Sequence, residues 1–280
     1  MKIIKILSII FGLVFLINSC DKVDPPYTTG FDCESGNQNV LIEDYTGHDC
    51  VNCPGAAVTA HDIKSNCEER VIVIAVHAGY FAKPKAAPSE YTYDFRTQAG
   101  NEWNDYFAII GNPNGMVNRQ SENGNYVLGP GLWAEAAFKL LSQNSPVNIV
   151  IENNFNTDNN SLSTKVTANV VSDFEGVYDL IVCITEDHII KPQKNNDASI
   201  GTVPDILEYE HEGVLRMAIN GSFGQDFING SVSIGESISK SLDQSFDGTD
   251  WVVENCNVVA FIVNREDKSV LQVEELEIIN

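Results

Sequence analysis

The chain has 280 residues, 43% hydrophobic and 20% charged, with 39 acidic against 17 basic residues and a formal net charge of -22. Such a composition excludes an intrinsically disordered chain and suits one large domain or two ordinary ones. The charge excludes nucleic acid and anionic lipid headgroups as electrostatic partners, so any membrane attachment must be hydrophobic.

The chain opens on Lys2 and Lys5, followed over residues 6–17 by an almost wholly apolar run. That run is too short to span a bilayer and has the layout of a secretory signal. Ile17-Asn18-Ser19-Cys20 comes next and resembles a bacterial lipobox, where an aliphatic residue and two small ones direct lipidation of the cysteine. The resemblance implies a leader over residues 1–19 and an acyl anchor on Cys20, held by about 0.8 kcal/mol per buried methylene. Seven cysteines is an odd number for an exported chain. With Cys20 acylated, Cys33, Cys50, Cys53, Cys67, Cys183 and Cys256 are left, enough for three pairs. Pro25, Pro26, Thr28, Thr29 and Gly30 read as a tether, so residues 20–36 link lipid to folded chain.

Residues 40–45 are apolar-rich and predict a strand. Residues 54–67 predict a helix, with Ala56, Ala57, Ala60 and Ile63 roughly on one face. Residues 71–77 form a continuous β-branched run, as in a buried parallel strand, and complete a right-handed βαβ unit. Residues 80–103 read as an aromatic, proline-containing insertion with some helix toward residue 109. A short strand is expected over 116–119 and a helix over 132–141. After about residue 145 helical periodicity fades. Strands are expected over 147–152, 162–171, 178–186, 214–219, 231–239, 258–264 and 270–278, with residues 191–210 a long loop. The prediction is an α/β unit over residues 37–145 followed by an all-β sandwich of immunoglobulin-like type over residues 146–280.

The chemistry concentrates in Cys50-Val51-Asn52-Cys53-Pro54, which follows a strand and opens a helix. Free N–H groups and the dipole at a helix start favour a thiolate there, and a cysteine one turn on can resolve a mixed disulfide. Cys33 and Cys67 each precede a strand of the βαβ unit, at the sheet end away from the motif, and are expected to be bridged. Cys183 lies in a predicted strand and Cys256 just before another, and a cross-sandwich bridge is expected between them.

The stretch from Val40 to Cys53 resembles the strand, turn and active-site pattern of the thioredoxin family. The resemblance implies that Asp44, six residues before Cys50, is a buried acid that moves a proton. It also implies that Ile109-Ile110-Gly111-Asn112-Pro113 carries a cis-proline facing the motif. Asp49 departs from the family's aromatic residue, and a carboxylate there disfavours the thiolate. His48, His61 and His77 lie nearby, and His77 ends the second strand, where it can approach the cysteines. Thioredoxin-like copper carriers combine two cysteines with a histidine but space the cysteines more widely. No metal or cofactor is therefore expected, and His48 and His61 read as surface residues.

The mature chain as a whole resembles the twenty-eight-kilodalton outer-membrane lipoproteins of Bacteroidetes. The residues that carry this are Glu43-Asp44-Tyr45-Thr46-Gly47 with the Cys50–Cys53 motif, residues 111–119, Thr185-Glu186-Asp187 with Gln193, and His211-Glu212-Gly213-Val214-Leu215-Arg216. It implies a lipid-anchored outer-membrane address. Arg119, Gln193, His211 and Arg216 stand on a binding surface or on the seam between the two units, with Arg119 the one expected near the redox motif. Two functions fit. In one, Cys50 attacks, Cys53 resolves, Asp44 shuttles a proton and Pro113 shapes a groove for envelope protein thiols or peptides. In the other, the protein is a non-enzymatic binding lipoprotein whose Cys50–Cys53 disulfide is structural.

Overall fold

The structure is a computed structural model, described for residues 33, 35–67, 70–121 and 124–279. The expected leader and Cys20 lie outside these residues. Among the described residues no helix is long and apolar enough to cross a membrane.

Strand β1 (Val40–Thr46) is buried at every position, as suits a strand covered on both faces. The helix α1 (Cys53–Cys67) follows and turns Ala56, Ala60, Ile63 and Cys67 inward at helical spacing. It leads into β2 (Val71–His77), parallel to β1 with Val40 opposite Val71 and Thr46 opposite His77. The helix α2 (Gln98–Tyr106) is capped by the Thr97 hydroxyl, which accepts the Gly100 N–H. Strand β3 (Asn114–Val117) pairs antiparallel with β1, and the helix α3 (Trp133–Leu141) closes this half.

The remaining elements are strands. They are β4 (Val147–Asn156), β5 (Ser161–Val170), β6 (Phe174–Glu186), β7 (Ile189–Lys194) and β8 (Asp205–His211). Then come β9 (Val214–Ala218), β10 (Gln225–Val232), β11 (Ser237–Ser245), β12 (Cys256–Asn264) and β13 (Val270–Glu277). Two expectations fail here. Residues 231–239 are not one strand, because a turn with Gly235 at φ 90° separates β10 from β11. Residues 191–210 are not a loop but the greater part of a β7–β8 hairpin, paired from Ile189 with His211 to Lys194 with Asp205.

The two segments expected to meet at 145/146 share one eight-stranded sheet. Its order is β13-β12-β6-β9-β2-β1-β3, with β10 on β6 beside β9. Residues from Cys33 on form one compact unit. One sheet face, with Leu41, Ile74, Leu215, Cys183 and Phe261, packs on Trp103 of α2. Side chains alternate along strands, so the other face carries Val40 and Ile42 under α1 and α3. Further along that face, Val182, Ile184, Val258 and Ala260 lie under a second sheet ordered β11-β5-β4. The change near residue 145 is thus a change of cover, from helices to a sheet.

This alternation corrects one expected bridge. Cys183 and Cys256 are both free and buried. They lie on adjacent strands, Cys183 opposite Val259 and Cys256 opposite Glu186, three residues out of register. An odd offset turns them to opposite faces, Cys183 toward Trp103 and Cys256 toward the second sheet. Cys33 and Cys67 are bridged, with Cα atoms 5.5 Å apart.

Candidate functional site

The end of β1 builds the site. After Thr46 the chain turns tightly, with the Cys50 N–H donating to Gly47 O at 2.9 Å and the Asp49 N–H to Phe81 O at 3.0 Å. Gly47 allows this approach, since a Cβ would lie 2.4 Å from the Phe81 carbonyl carbon. Cys50 and Cys53 form a disulfide, Cys53 as the first residue of α1. The Asn112–Pro113 peptide is cis. It sits at the same sheet end, because Asn112 Nδ2 donates to Thr46 O at 2.7 Å and to Ala78 O at 3.3 Å. Asp49 is engaged by Lys85, whose Nζ lies 2.6 Å from its carboxylate, and that cation offsets the charge beside Cys50.

Behind Cys53 lies a small cavity of about 30 Å³. Asp44, Thr46, His77, Gln193, Tyr209 and His211 are among the residues that line it. Asp44 is 3% exposed and its Oδ1 has no hydrogen-bond partner. Burial pushes its carboxyl up to about 7. His77 stacks on Phe95 with ring centroids 4.3 Å apart, and both its nitrogens lack partners. Burial, then the neighbouring His211, hold His77 well below the usual imidazole range. His211 is driven down to about 3, again chiefly by burial. Burial thus favours the neutral form of both imidazoles. This wall therefore presents a protonatable carboxyl and two neutral rings to the inner cysteine.

The β7–β8 hairpin adds Gln193, Tyr209 and His211 to this wall and also packs over the Cys50–Cys53 turn. Gln193 Nε2 donates to Cys50 O at 2.9 Å and to Gly47 O at 3.3 Å. Cys50 and Cys53 are each only 2% exposed. Two of the polar residues singled out in the sequence, Gln193 and His211, thus meet at the redox motif.

The other two do not. Arg119 is wholly buried, its Nε and Nη2 each 2.8 Å from the Glu43 carboxylate. Its guanidinium lies over Trp103, Phe107 and Phe261, on the sheet face away from the cysteines. Arg216 bonds Glu186 at 3.2 Å and Asp250 at 2.7 Å. His61 is exposed, but His48 is buried, with Nε2 3.2 Å from Lys83 O, and is not the surface residue expected. Tyr209 and Lys85 were missed by sequence reasoning. The period-two alternation of Leu207, Tyr209 and His211 is the signal that marks β8.

The profile of the family described as outer membrane protein Omp28 matches residues 100–280. The chain belongs to the Omp28 family. Among solved structures, this Omp28-family chain is similar to HBP35 of Porphyromonas gingivalis, at 17% identity and a TM-score of 0.63. That match covers 87% of this chain and 76% of the other. A protein of Agrobacterium tumefaciens matches at 13% identity and a TM-score of 0.49, covering 87% of this chain and 96% of that one. A domain of the outer membrane lipoprotein Omp28 of P. gingivalis matches at 19% identity and a TM-score of 0.30, over 48% of this chain and 88% of that one. No curated protein matches the sequence. The HBP35 likeness bears on the fold, and the family places the chain among outer membrane proteins.

Proposed function

We propose that this Omp28-family protein is anchored to the outer membrane through a lipid on Cys20 and exchanges disulfides with envelope proteins through Cys50 and Cys53. In this reading the N-terminal half is thioredoxin-like and the C-terminal half immunoglobulin-like, merged through the common sheet. The observation that carries it is the meeting, at one sheet end, of a bridged Cys50–Cys53 pair at a helix start with Asp44 and cis-Pro113.

The chemistry is reversible. A partner thiolate attacks Cys50 Sγ, the Cys50–Cys53 bond breaks, and Cys53 leaves as a thiolate that takes the Asp44 proton. A second partner thiol, once deprotonated, attacks the mixed disulfide. The partner leaves as a disulfide, Cys50 departs as a thiolate that takes a proton from solvent, and Asp44 regains its proton from solvent. In reverse, the Asp44 carboxylate accepts the Cys53 proton so that Cys53 can attack Cys50 Sγ in a mixed disulfide.

A second reading, a structural disulfide in a binding lipoprotein, draws on the near-complete burial of both cysteines. A redox titration of the purified protein separates them. Exchange requires a potential above about -300 mV and turnover with a dithiol substrate. A more negative potential with no exchange would leave the structural reading. For the anchor, Cys20→Ser is expected to abolish incorporation of labelled palmitate, and undiminished labelling excludes Cys20 as its site.

A further inference from the structure

The cover over the Cys50–Cys53 turn is built like a bound peptide. The Lys194 N–H donates to His48 O at 2.9 Å and the Asn196 N–H to Val51 O at 3.1 Å. Between them the Asn195 N–H turns the other way, to Pro204 O across the hairpin at 2.8 Å. Donors two residues apart on one side, with the intervening donor on the other, are the pattern of an extended strand paired along both edges. Side chains extend the match. Gln193 bonds Cys50 O as described, and Asn196 Nδ2 donates to Asn52 Oδ1 at 2.6 Å. The carbonyls of Gly47, His48, Cys50 and Val51 are thus all engaged by residues 193–196.

This segment ends an element separate from the larger sheets, for among the described residues β7 and β8 pair only with each other. His211 is buried, and the Ala75 N–H donates to Gly213 O at 2.8 Å. Residues 193–196 meet the Cys50–Cys53 turn through the polar contacts just described.

We propose that the carbonyl edge of residues 47–51 is the docking edge for an extended polypeptide strand of the exchange partner, and that residues 193–196 hold it in the resting protein as a built-in stand-in. This rests on the exchange reading above and deepens it. The partner pairs by backbone N–H groups with the edge that lies over Cys50, which sets its cysteine beside Cys50 Sγ. Main-chain pairing selects extended conformation more than side-chain identity. No partner strand pairs with this edge until residues 193–196 move away.

The test is the rate at which a reduced protein dithiol of the thioredoxin type opens Cys50–Cys53 in the full-length protein in detergent. Asn196→Pro removes the N–H that reaches Val51 O, and Gln193→Ala removes the side-chain bonds while leaving the backbone intact. Amide exchange in β1 and α1 checks that each variant is folded. Loosening the stand-in is expected to speed reduction at least tenfold in the Pro variant and by a smaller factor in the Ala variant. Rates equal to the parent's in both folded variants overturn the docking proposal and leave exchange standing. A pair that no variant lets the protein dithiol open, while dithiothreitol opens it, overturns the exchange reading and the docking proposal with it.

Discussion

Glu43 and Asp44 are adjacent acids with opposite fates, because neighbouring strand residues face opposite sides of a sheet. Glu43 meets Arg119 in a bidentate pair, which satisfies a charge that would otherwise be costly to bury. Asp44 faces the cavity behind Cys53, and its carboxyl keeps its proton to about 7 against an ordinary 3.8. Between those two values Asp44 holds a proton in the folded protein that it lacks in the unfolded chain. The Asp44 contribution to stability therefore falls as pH rises through that window and is flat on either side of it. A shift of this size corresponds to roughly 4 kcal/mol. Asp44→Asn is expected to stabilise the protein by about 2–4 kcal/mol at pH 8 and to leave it nearly unchanged at pH 3.5. Urea titrations at both pH values decide this, and an equal effect at both would show that Asp44 is not the titrating group. The sequence marked Asp44 through its spacing from Cys50. It could not show that Arg119 turns toward Glu43, because that depends on which side of the sheet each residue faces.

Among the elements, legibility followed chemistry. β1, α1 and β2 were readable because continuous β-branched runs and a helical spacing of Ala56, Ala60 and Ile63 leave little choice of conformation. The β7–β8 hairpin was not. Pro192 interrupts β7, where the register shifts between Lys191 and Gln193, and charged residues mask the alternation of β8. The hairpin that packs over the Cys50–Cys53 turn was thus the least visible part of the site. Helix α1 has a second fastening at its far end, the Cys33–Cys67 bridge across a separation of 34 residues. Opening a loop of that length costs about 4 kcal/mol in the chain-entropy account. Cys33→Ser is therefore expected to lower stability by about 2–4 kcal/mol in calorimetry. No change in Tm would mean that the Arg70 contacts to Gln38 O and Leu141 O hold this corner alone.

At the scale of the molecule, the composition shift near residue 145 suggested two units in series, and the common sheet joins them. The joint was hidden because it is non-local, with Ala75 of β2 opposite Val214 of β9. Gln272 of β13 adds to it, accepting the Asn39 N–H at 2.9 Å and donating to Asn37 O at 2.8 Å. The same geometry explains why Cys183 and Cys256 looked like partners in a sequence that does not show which face each occupies. Residues 37–145 and 146–280 are expected to unfold together, in one transition seen alike by far-ultraviolet and near-ultraviolet circular dichroism. Two separated transitions would show that the halves are stable independently.

The joined sheet also constrains the order in which the chain can mature. Synthesis delivers residues 33–67 before residues 183 and 256, and both described disulfides lie within the earlier segment. β2 must wait for residue 214 to cover its open edge, and Asn39, just before β1, must wait for residue 272. Until then Cys183 and Cys256 have no finished sheet to bury them. The four cysteines that pair are close in the chain and emerge early, whereas the two that stay reduced emerge late and are shielded only by completion of the fold. Pairing by proximity in time thus lessens the risk that a late thiol captures an early one.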